Sequence, residues 1–412
     1  MQLVGVAVKF VNQTMSIYQD FGLEPIINAS GAVTRLGGSP MPAAVLDAFR
    51  DAAAEWVPLE QMQAAASRKI AHHTGTEAGL VAAGAAAALT LGTAAILAGH
   101  DLRRIESLPH CDGFPNQFLI AREQRSGYDH AIRAAGARFV EVGFNEIVAG
   151  AGVRRTEPWE YDDAVTEQTA GIVYVFAPDS KPDLAAVVEV ARRHNLPVLV
   201  DAAGELPPRS NLKDIAATGA DLVAFSGGKS IRGPQSTGIL CGRKALISSA
   251  AIQMLDMDDH FELWDPPANL IDRSQLKGIP RHGIGRGSKV SKESIVALLT
   301  ALELFASGAY DADLPRYHSN LTTIQDALAD AKADCRILTP AHKEMWPLLE
   351  IRPDCSALGR SALEICRSLR TGSPPVYVGH GRLHAGALII NPTCIHDESI
   401  SRLAERLKAE LC

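Results

Sequence analysis

Between Gly79 and Gly242, short apolar runs rich in β-branched residues alternate with stretches in which apolar positions recur at helical spacing. Gln117–Ala121, Arg138–Val142, Gly171–Ala177, Pro197–Val200, Asp221–Phe225 and Gly238–Cys241 predict strands, and 85–98 and Leu184–Arg193 predict helices. Such alternation predicts an α/β fold with a mostly parallel sheet and helices on both faces, in which ligands sit beyond the carboxyl ends of the strands. A Pro- and Gly-rich stretch from Asp265 to Ser288 then interrupts the pattern. Beyond it, helical patterns at 292–306, 315–332, 359–370 and 396–410 interleave with strand patterns near Arg336–Leu338, Pro347–Ile351, Pro375–Val378 and Ala387–Ile390, which predicts a smaller C-terminal α+β domain. The expected division is an N-terminal segment 1–60 packing with the small domain, a large ligand-binding domain 61–275 and a small domain 276–412.

Gly79 to Gly99 carries no charge over 21 positions, enough to cross a bilayer by length. The run is mostly Ala and Gly and lacks the Leu/Ile/Phe density and aromatic flanks of a membrane span, so it predicts a buried helix. With 412 residues and 47% hydrophobic content the chain can bury a large core. Lys+Arg of 40 against Asp+Glu of 47, without a basic block, argues against a nucleic-acid partner. Seven scattered cysteines without CxxC spacing argue against a disulfide framework or zinc site and fit a reducing cytoplasm. The close histidine pairs, His72-His73 and His380/His384, have no carboxylates at ligand spacing, so no metal is expected. Met1–Thr14 lacks a signal-peptide core, and Met15 reads as an alternative start.

The chemistry lies at two strand ends. Asp201 ends the apolar run Val198-Leu199-Val200, and Lys229 follows Leu222-Val223-Ala224-Phe225 in the turn Ser226-Gly227-Gly228-Lys229. A lysine in a glycine turn past a buried strand can lose its proton and form a Schiff base, and a strand-end carboxylate can hold a protonated pyridine nitrogen. Together they point to pyridoxal 5'-phosphate (PLP). Ala203 is small enough to lie against the ring, and Glu205 is a second carboxylate within reach. Gly84-Ala85-Ala86 opens the uncharged helix, where free N–H groups and the helix dipole favour a phosphate. Ser226 can donate to the same phosphate, and Gln235 brings a polar side chain on the following turn.

These residues also carry a resemblance. Ile27-Asn28-Ala29-Ser30-Gly31, Tyr128-Asp129-His130-Ala131 with Ala135-Gly136-Ala137, Val200-Asp201-Ala202-Ala203-Gly204-Glu205-Leu206-Pro207-Pro208, Ser226-Gly227-Gly228-Lys229 with Gly233-Pro234-Gln235, and Arg286 with Lys289-Val290-Ser291-Lys292-Glu293 are similar to the selenocysteine synthase-like family of PLP enzymes, above all its D-glucosaminate-6-phosphate ammonia-lyase branch. The resemblance spans roughly residues 18 to 410. It implies the PLP-dependent transferase fold (fold type I), with Lys229 as the Schiff-base lysine and Asp201 as the pyridinium partner. It further implies that Ser226 and the Gly84–Ala86 turn bind phosphate, that Arg286 contacts an anion near a dimer interface, and that the enzyme is a homodimer or higher homo-oligomer. Two departures bear on the substrate. Gln124-Arg125 stands where members commonly carry His-Arg, leaving open which group meets the pyridine ring. Pro374-Pro375-Val376-Tyr377-Val378-Gly379-His380 lacks the arginine expected after the paired prolines, so Arg382 and Arg125 become the candidate substrate-binding residues.

The leading expectation is a PLP-dependent lyase eliminating ammonia from a small or sugar-derived β-hydroxy amino acid, with Lys229, Asp201 and Glu205 as catalytic residues. An aldolase or racemase keeps the same residues. A tRNA-dependent selenocysteine synthase is disfavoured by the acidic balance, and a non-catalytic PLP-fold protein by the intact Asp201/Lys229 pair.

Overall fold

Successive residues of each central strand face opposite sides of one sheet, and both sides are apolar. Val198 and Val200 join a core cluster with Leu119, Ile172, Val223 and Ile239, whereas Leu199 joins another with Phe118, Val173, Leu222 and Leu240. The computed structural model describes residues 16–144, 155–260 and 262–412. The alternative start at Met15 lies outside the described residues.

The strands, in chain order, are β1 (Ile27–Ala29), β2 (Ala78–Ala82), β3 (Gln117–Ala121), β4 (Arg138–Val142), β5 (Thr169–Val175), β6 (Val198–Asp201), β7 (Leu222–Ser226), β8 (Gly238–Gly242), β9 (Ala333–Leu338), β10 (Leu348–Pro353), β11 (Val376–Val378) and β12 (Leu388–Ile390). The large sheet runs β2-β8-β7-β6-β5-β3-β4. Only β8 is antiparallel to its neighbours, β2 and β7; the pairs among β7, β6, β5, β3 and β4 are parallel. The carboxyl ends of β2, β3, β5, β6 and β7 therefore share one edge.

The uncharged run does not form one helix from Gly79. Its first residues are β2, buried throughout, and a turn at Ala83-Gly84 separates them from the helix Ala85–Ala98. That helix is uncharged because most of its length is buried against the sheet in the cluster holding Leu80, Leu199 and Leu240. Among the described residues no single helix is long and apolar enough to cross a membrane.

Two units divide the chain, one of Ala32–Ala312 and one of the residues up to Gly31 with Asp313–Cys412. The boundaries thus fall at 31/32 and 312/313 rather than at the expected 60/61 and 275/276. Residues 32–60 and 276–312 stay with the large unit because the helix Lys292–Ala306 packs along the helix Ala43–Ala53. Ile295, Leu298 and Leu302 enter the same core as Val45 and Ile70, and Lys292 Nζ donates to Ala52 O at 2.7 Å.

In the other unit β1 pairs in parallel with β11, and β9, β10 and β12 form an antiparallel sheet. Its core gathers Leu321, Leu349, Ile365 and Leu403 from the sheet and from helices Leu314–Ala327, Ala362–Thr371 and Ile400–Leu411. The second of these starts later than the periodicity suggests, because Ser361 caps it and Glu364 completes a capping box.

Candidate active site

Asp201 is the last residue of β6, in register with Val175 of β5 and Ala224 of β7. Its Oδ1 accepts the N–H of Ala203 at 3.0 Å, which fixes the carboxylate at the strand end, and Glu205 N donates to Ala202 O to close the turn that follows. Lys229 leaves the end of β7 in a loop tied by Gly227 N to Thr237 O, Gly233 N to Gly227 O and Arg232 N to Lys229 O, each 2.9 Å. This loop holds a non-glycine residue, Arg232, at φ 63°, a left-handed conformation that costs about 1–2 kcal/mol. The Arg232 guanidinium is stacked 4.7 Å from the Tyr310 ring centroid, and its Nε donates to Pro40 O. Nothing in the sequence marked Arg232, since only the backbone shows the strain.

The amine and the carboxylates meet. A Cβ placed on Gly204 would lie 3.6 Å from Lys229 Nζ, so the lysine head lies over the turn joining Asp201 to Glu205. Burial pushes the Asp201 carboxyl above its usual range, against the lowering effects of the Ala203 N–H and the Lys229 charge. Glu205 is raised first by burial and further by Asp201 and Asp179, while Lys229 pulls it back. Asp179, in the loop after β5, is a member of this carboxylate group that sequence reasoning missed.

A cradle flanks the pair. Gly84 caps the helix Ala85–Ala98 at φ 93° with open space where a Cβ would stand, and no side chain caps the helix start. Gly238 pairs with Ala82 on one side and Ser226 on the other. A Cβ there would come 2.3 Å from Gly84 C and 2.5 Å from Ala85 N, so the missing side chain lets β8 bring Ser226 close to the open helix start. An uncapped helix N-terminus beside a hydroxyl suits a phosphate, a strand-end carboxylate suits a pyridinium, and the amine suits an aldehyde. Gly84, Ala85, Ala86, Ser226, Asp201, Ala203 and Lys229 accordingly fit PLP.

The other expected site residues are each held by partners within the chain. Gln235 Nε2 donates to Thr34 O, and its backbone packs on Gly228. Arg286, in the short helix Ile284–Ser288, is paired with Asp256, which also meets His282 at 3.2 Å. Asp256, Asp258 and His282 bring ligand atoms within 4.8 Å of one another, but the Arg286 cation already occupies Asp256. Arg125 is bound to Asp129 at 2.5 Å and to Glu141, with its guanidinium 4.9 Å from the Phe139 centroid. Arg382 pairs with the buried Glu350 at 2.7 Å, which Arg352 also binds. Arg125 and Arg382 are therefore engaged by acids within their own units.

The aminotransferase class-V family model matches residues 180–257, the segment holding both Asp201 and Lys229. A D-glucosaminate-6-phosphate ammonia lyase from Salmonella typhimurium is 27% identical over 406 residues, covering 96% of this chain and 98% of the relative. A 5'-C-glycyluridine monooxygenase-decarboxylase from Streptomyces sp. is 30% identical over 406 residues, covering 95% and 91%. An L-seryl-tRNA(Sec) selenium transferase from Geotalea uraniireducens is 26% identical, covering 94% and 83%. A solved structure of D-glucosaminate-6-phosphate ammonia-lyase superposes with a TM-score of 0.79 at 26% identity, covering 97% of this chain and 98% of that one.

Sheet order, strand-end chemistry and these likenesses define a PLP-dependent enzyme of fold type I. Near-complete coverage at 30% identity narrows the class further. The chain belongs to the selenocysteine synthase-like family of PLP enzymes.

Proposed function

We propose that the protein is a PLP-dependent ammonia lyase that converts a small or sugar-derived β-hydroxy α-amino acid into a 2-keto acid and ammonia. The observation that carries this reading is the Lys229 amine over a turn bearing two carboxyls, Asp201 and Glu205, both raised by burial. Bound PLP supplies an electron sink that acidifies the substrate Cα–H. Asp201 keeps the ring nitrogen protonated, which maintains that sink. Lys229 takes the Cα proton. Glu205, whose environment favours the protonated carboxyl, gives its proton to the departing β-hydroxyl; the Cβ–O bond breaks and water leaves. The freed enamine tautomerises to an imine, and water displaces its nitrogen as ammonia, so the net products are one keto acid and one ammonia.

The D-glucosaminate-6-phosphate ammonia lyase likeness supports this reaction and suggests the first substrates to try, D-glucosaminate and its 6-phosphate. Purified holoenzyme incubated with these and a panel of β-hydroxy amino acids should release ammonia and 2-keto acid in equal amounts. Glycine plus an aldehyde would establish an aldolase instead, and epimerised substrate a racemase.

The 30% identical relative favours a second reading, oxidative decarboxylation of an amino acid joined to a nucleoside. The two readings separate cleanly, because elimination proceeds without dioxygen whereas a monooxygenase stops under anaerobic conditions. For either reaction the partner is a small molecule rather than tRNA, the location cytoplasmic and the assembly a homodimer or larger. Light scattering in solution tests the assembly.

A further inference from the structure

Gln124 is a buried polar residue at this sheet edge that the mechanism above leaves unused. It lies in the short turn Arg122–Gln124 after β3 and is 7% exposed. Its Oε1 accepts the backbone N–H of Val175, the last residue of β5, at 2.9 Å. An N–H can bond only to the amide oxygen, so this contact fixes the orientation of the carboxamide and makes the remaining group a donor. That donor, Nε2, is buried with no hydrogen-bond partner. Buried amide donors are nearly always bonded, and an unpaired one beside a ligand site points to the ligand as its acceptor.

Strand order says which part of the ligand this is. Val175 is in register with Asp201, so Gln124 reaches across the end of β5 to the β5 side of that carboxylate. Lys229 follows β7 and the helix start at Gly84–Ala86 follows β2, both on the opposite side of β6. In pyridoxal phosphate the aldehyde carbon lies across the ring from the nitrogen, with the phosphate arm on one flank and the 3-oxygen on the other. With the nitrogen at Asp201 and the phosphate toward β2 and β8, the 3-oxygen flank faces β5 and β3. We propose that Gln124 binds the cofactor there, donating a hydrogen bond from Nε2 to the 3-oxygen. A carboxamide thus serves at the position where members of the family commonly carry a histidine.

The consequence can be read without substrate. When the cofactor is attached, the Lys229 nitrogen and the 3-oxygen share a proton, and an outside donor to that oxygen weakens their hold on it. The bound cofactor of the wild type should then titrate at lower pH than that of a protein lacking the donor. The experiment is a pH titration of the visible absorbance of the holoenzyme, compared with Gln124→Glu, which keeps an acceptor for Val175 N–H, and Gln124→Met, which removes the donor without adding charge. Both midpoints should rise, by about one pH unit or more, as expected for loss of a hydrogen bond to a charged group. PLP affinity should fall by about tenfold in both. An unmoved midpoint in Gln124→Met overturns the proposal, even if the added charge of Gln124→Glu moves its own. Should the Met variant not fold, Gln124→Leu takes its place, again removing the donor without adding charge, with a raised midpoint in support and an unmoved one against. A wild type that takes up no PLP would overturn it together with the cofactor assignment. The inference rests on PLP binding and not on the ammonia-lyase reaction, so a titration that behaves as expected in a protein without lyase activity would separate the two.

Discussion

Replacing Gly238 with alanine would put a methyl group 2.3 Å from Gly84 C and 2.5 Å from Ala85 N, both backbone atoms. Neither can swing aside as a side-chain tip can, so reaching ordinary contact near 3.4 Å needs a backbone shift on the order of 1 Å. Two costs follow. Overpacking of this kind destabilises by about 1–3 kcal/mol, a fall in melting temperature on the order of 2–10 °C for a unit of this size. The shift also moves the helix start away from Ser226, to which Gly238 is paired, and opens the cradle for the phosphate. Loss of one or two charge-assisted hydrogen bonds there should weaken PLP binding by about 10- to 100-fold. Gly84→Ala is the matched contrast. Its Cβ meets nothing within 4 Å of the chain, and in the apoprotein its cost is confined to the strain of φ 93° with ψ 166°, a conformation that is essentially glycine's alone, about 1–3 kcal/mol. Melting curves of the apoproteins and fluorescence titrations with PLP measure both terms. A Gly238→Ala protein with wild-type melting temperature and PLP affinity would refute the close-approach argument and the phosphate site built on it.

Lys229→Ala should leave no borohydride-reducible attachment of PLP to the chain, read by mass spectrometry, and should lower turnover by at least about 10²- to 10⁴-fold. Glu205→Gln should retain PLP and its spectrum while kcat falls by about 10²-fold, because the amide has no proton to give the leaving group. In the wild type the rate should fall as pH rises through the raised Glu205 pKa, and this limb should be missing from the pH profile of Glu205→Gln. Asp201→Asn should bind PLP more weakly while its apoprotein melts at or above the wild-type temperature near pH 8. An acid whose folded pKa is raised is destabilising once ionised, so that difference should shrink as pH falls through the Asp201 pKa.

The large sheet was legible because its strands, the edge strand β4 excepted, are buried on both faces and flanked by helical periodicity; β3 and β4 match the expected bounds, and the other strands that were expected fall within two residues. Strand β2 was not, since Ala78–Ala82 merges into an alanine-rich helix, and only the backbone reversal at Gly84 separates them. The domain limits were misplaced for a related reason. Pro and Gly between 265 and 288 read as a linker, but the helix after them is fastened to Ala43–Ala53 by contacts distant in sequence. At the site, Lys229 and Asp201 could be picked out because each sits at a strand end, a position that periodicity fixes. Arg125, Arg382, Gln235 and Arg286 could not be placed the same way. Each is a long side chain whose partner, Asp129, Glu350, Thr34 or Asp256, is chosen by packing.

The same edge of the sheet carries three groups that the folded chain leaves only partly satisfied. Asp201 is buried enough that its ionised form is disfavoured, Gln124 Nε2 has no acceptor, and the helix at Ala85 starts without a cap. An unmade hydrogen bond in such a place costs about 1–3 kcal/mol, so in isolation each is a defect. Their deficits differ in sign: one needs a cation, one an acceptor and one an anion. A hydrophobic ligand would relieve none of them, and a simple anion would worsen the first. A flat ring with a protonated nitrogen, an anionic oxygen on one flank and a phosphate on the other answers all three at once, and its aldehyde falls on the side of β6 where Lys229 stands. Holoenzyme should therefore melt well above apoenzyme, and the gap should narrow when any one of the three positions is changed.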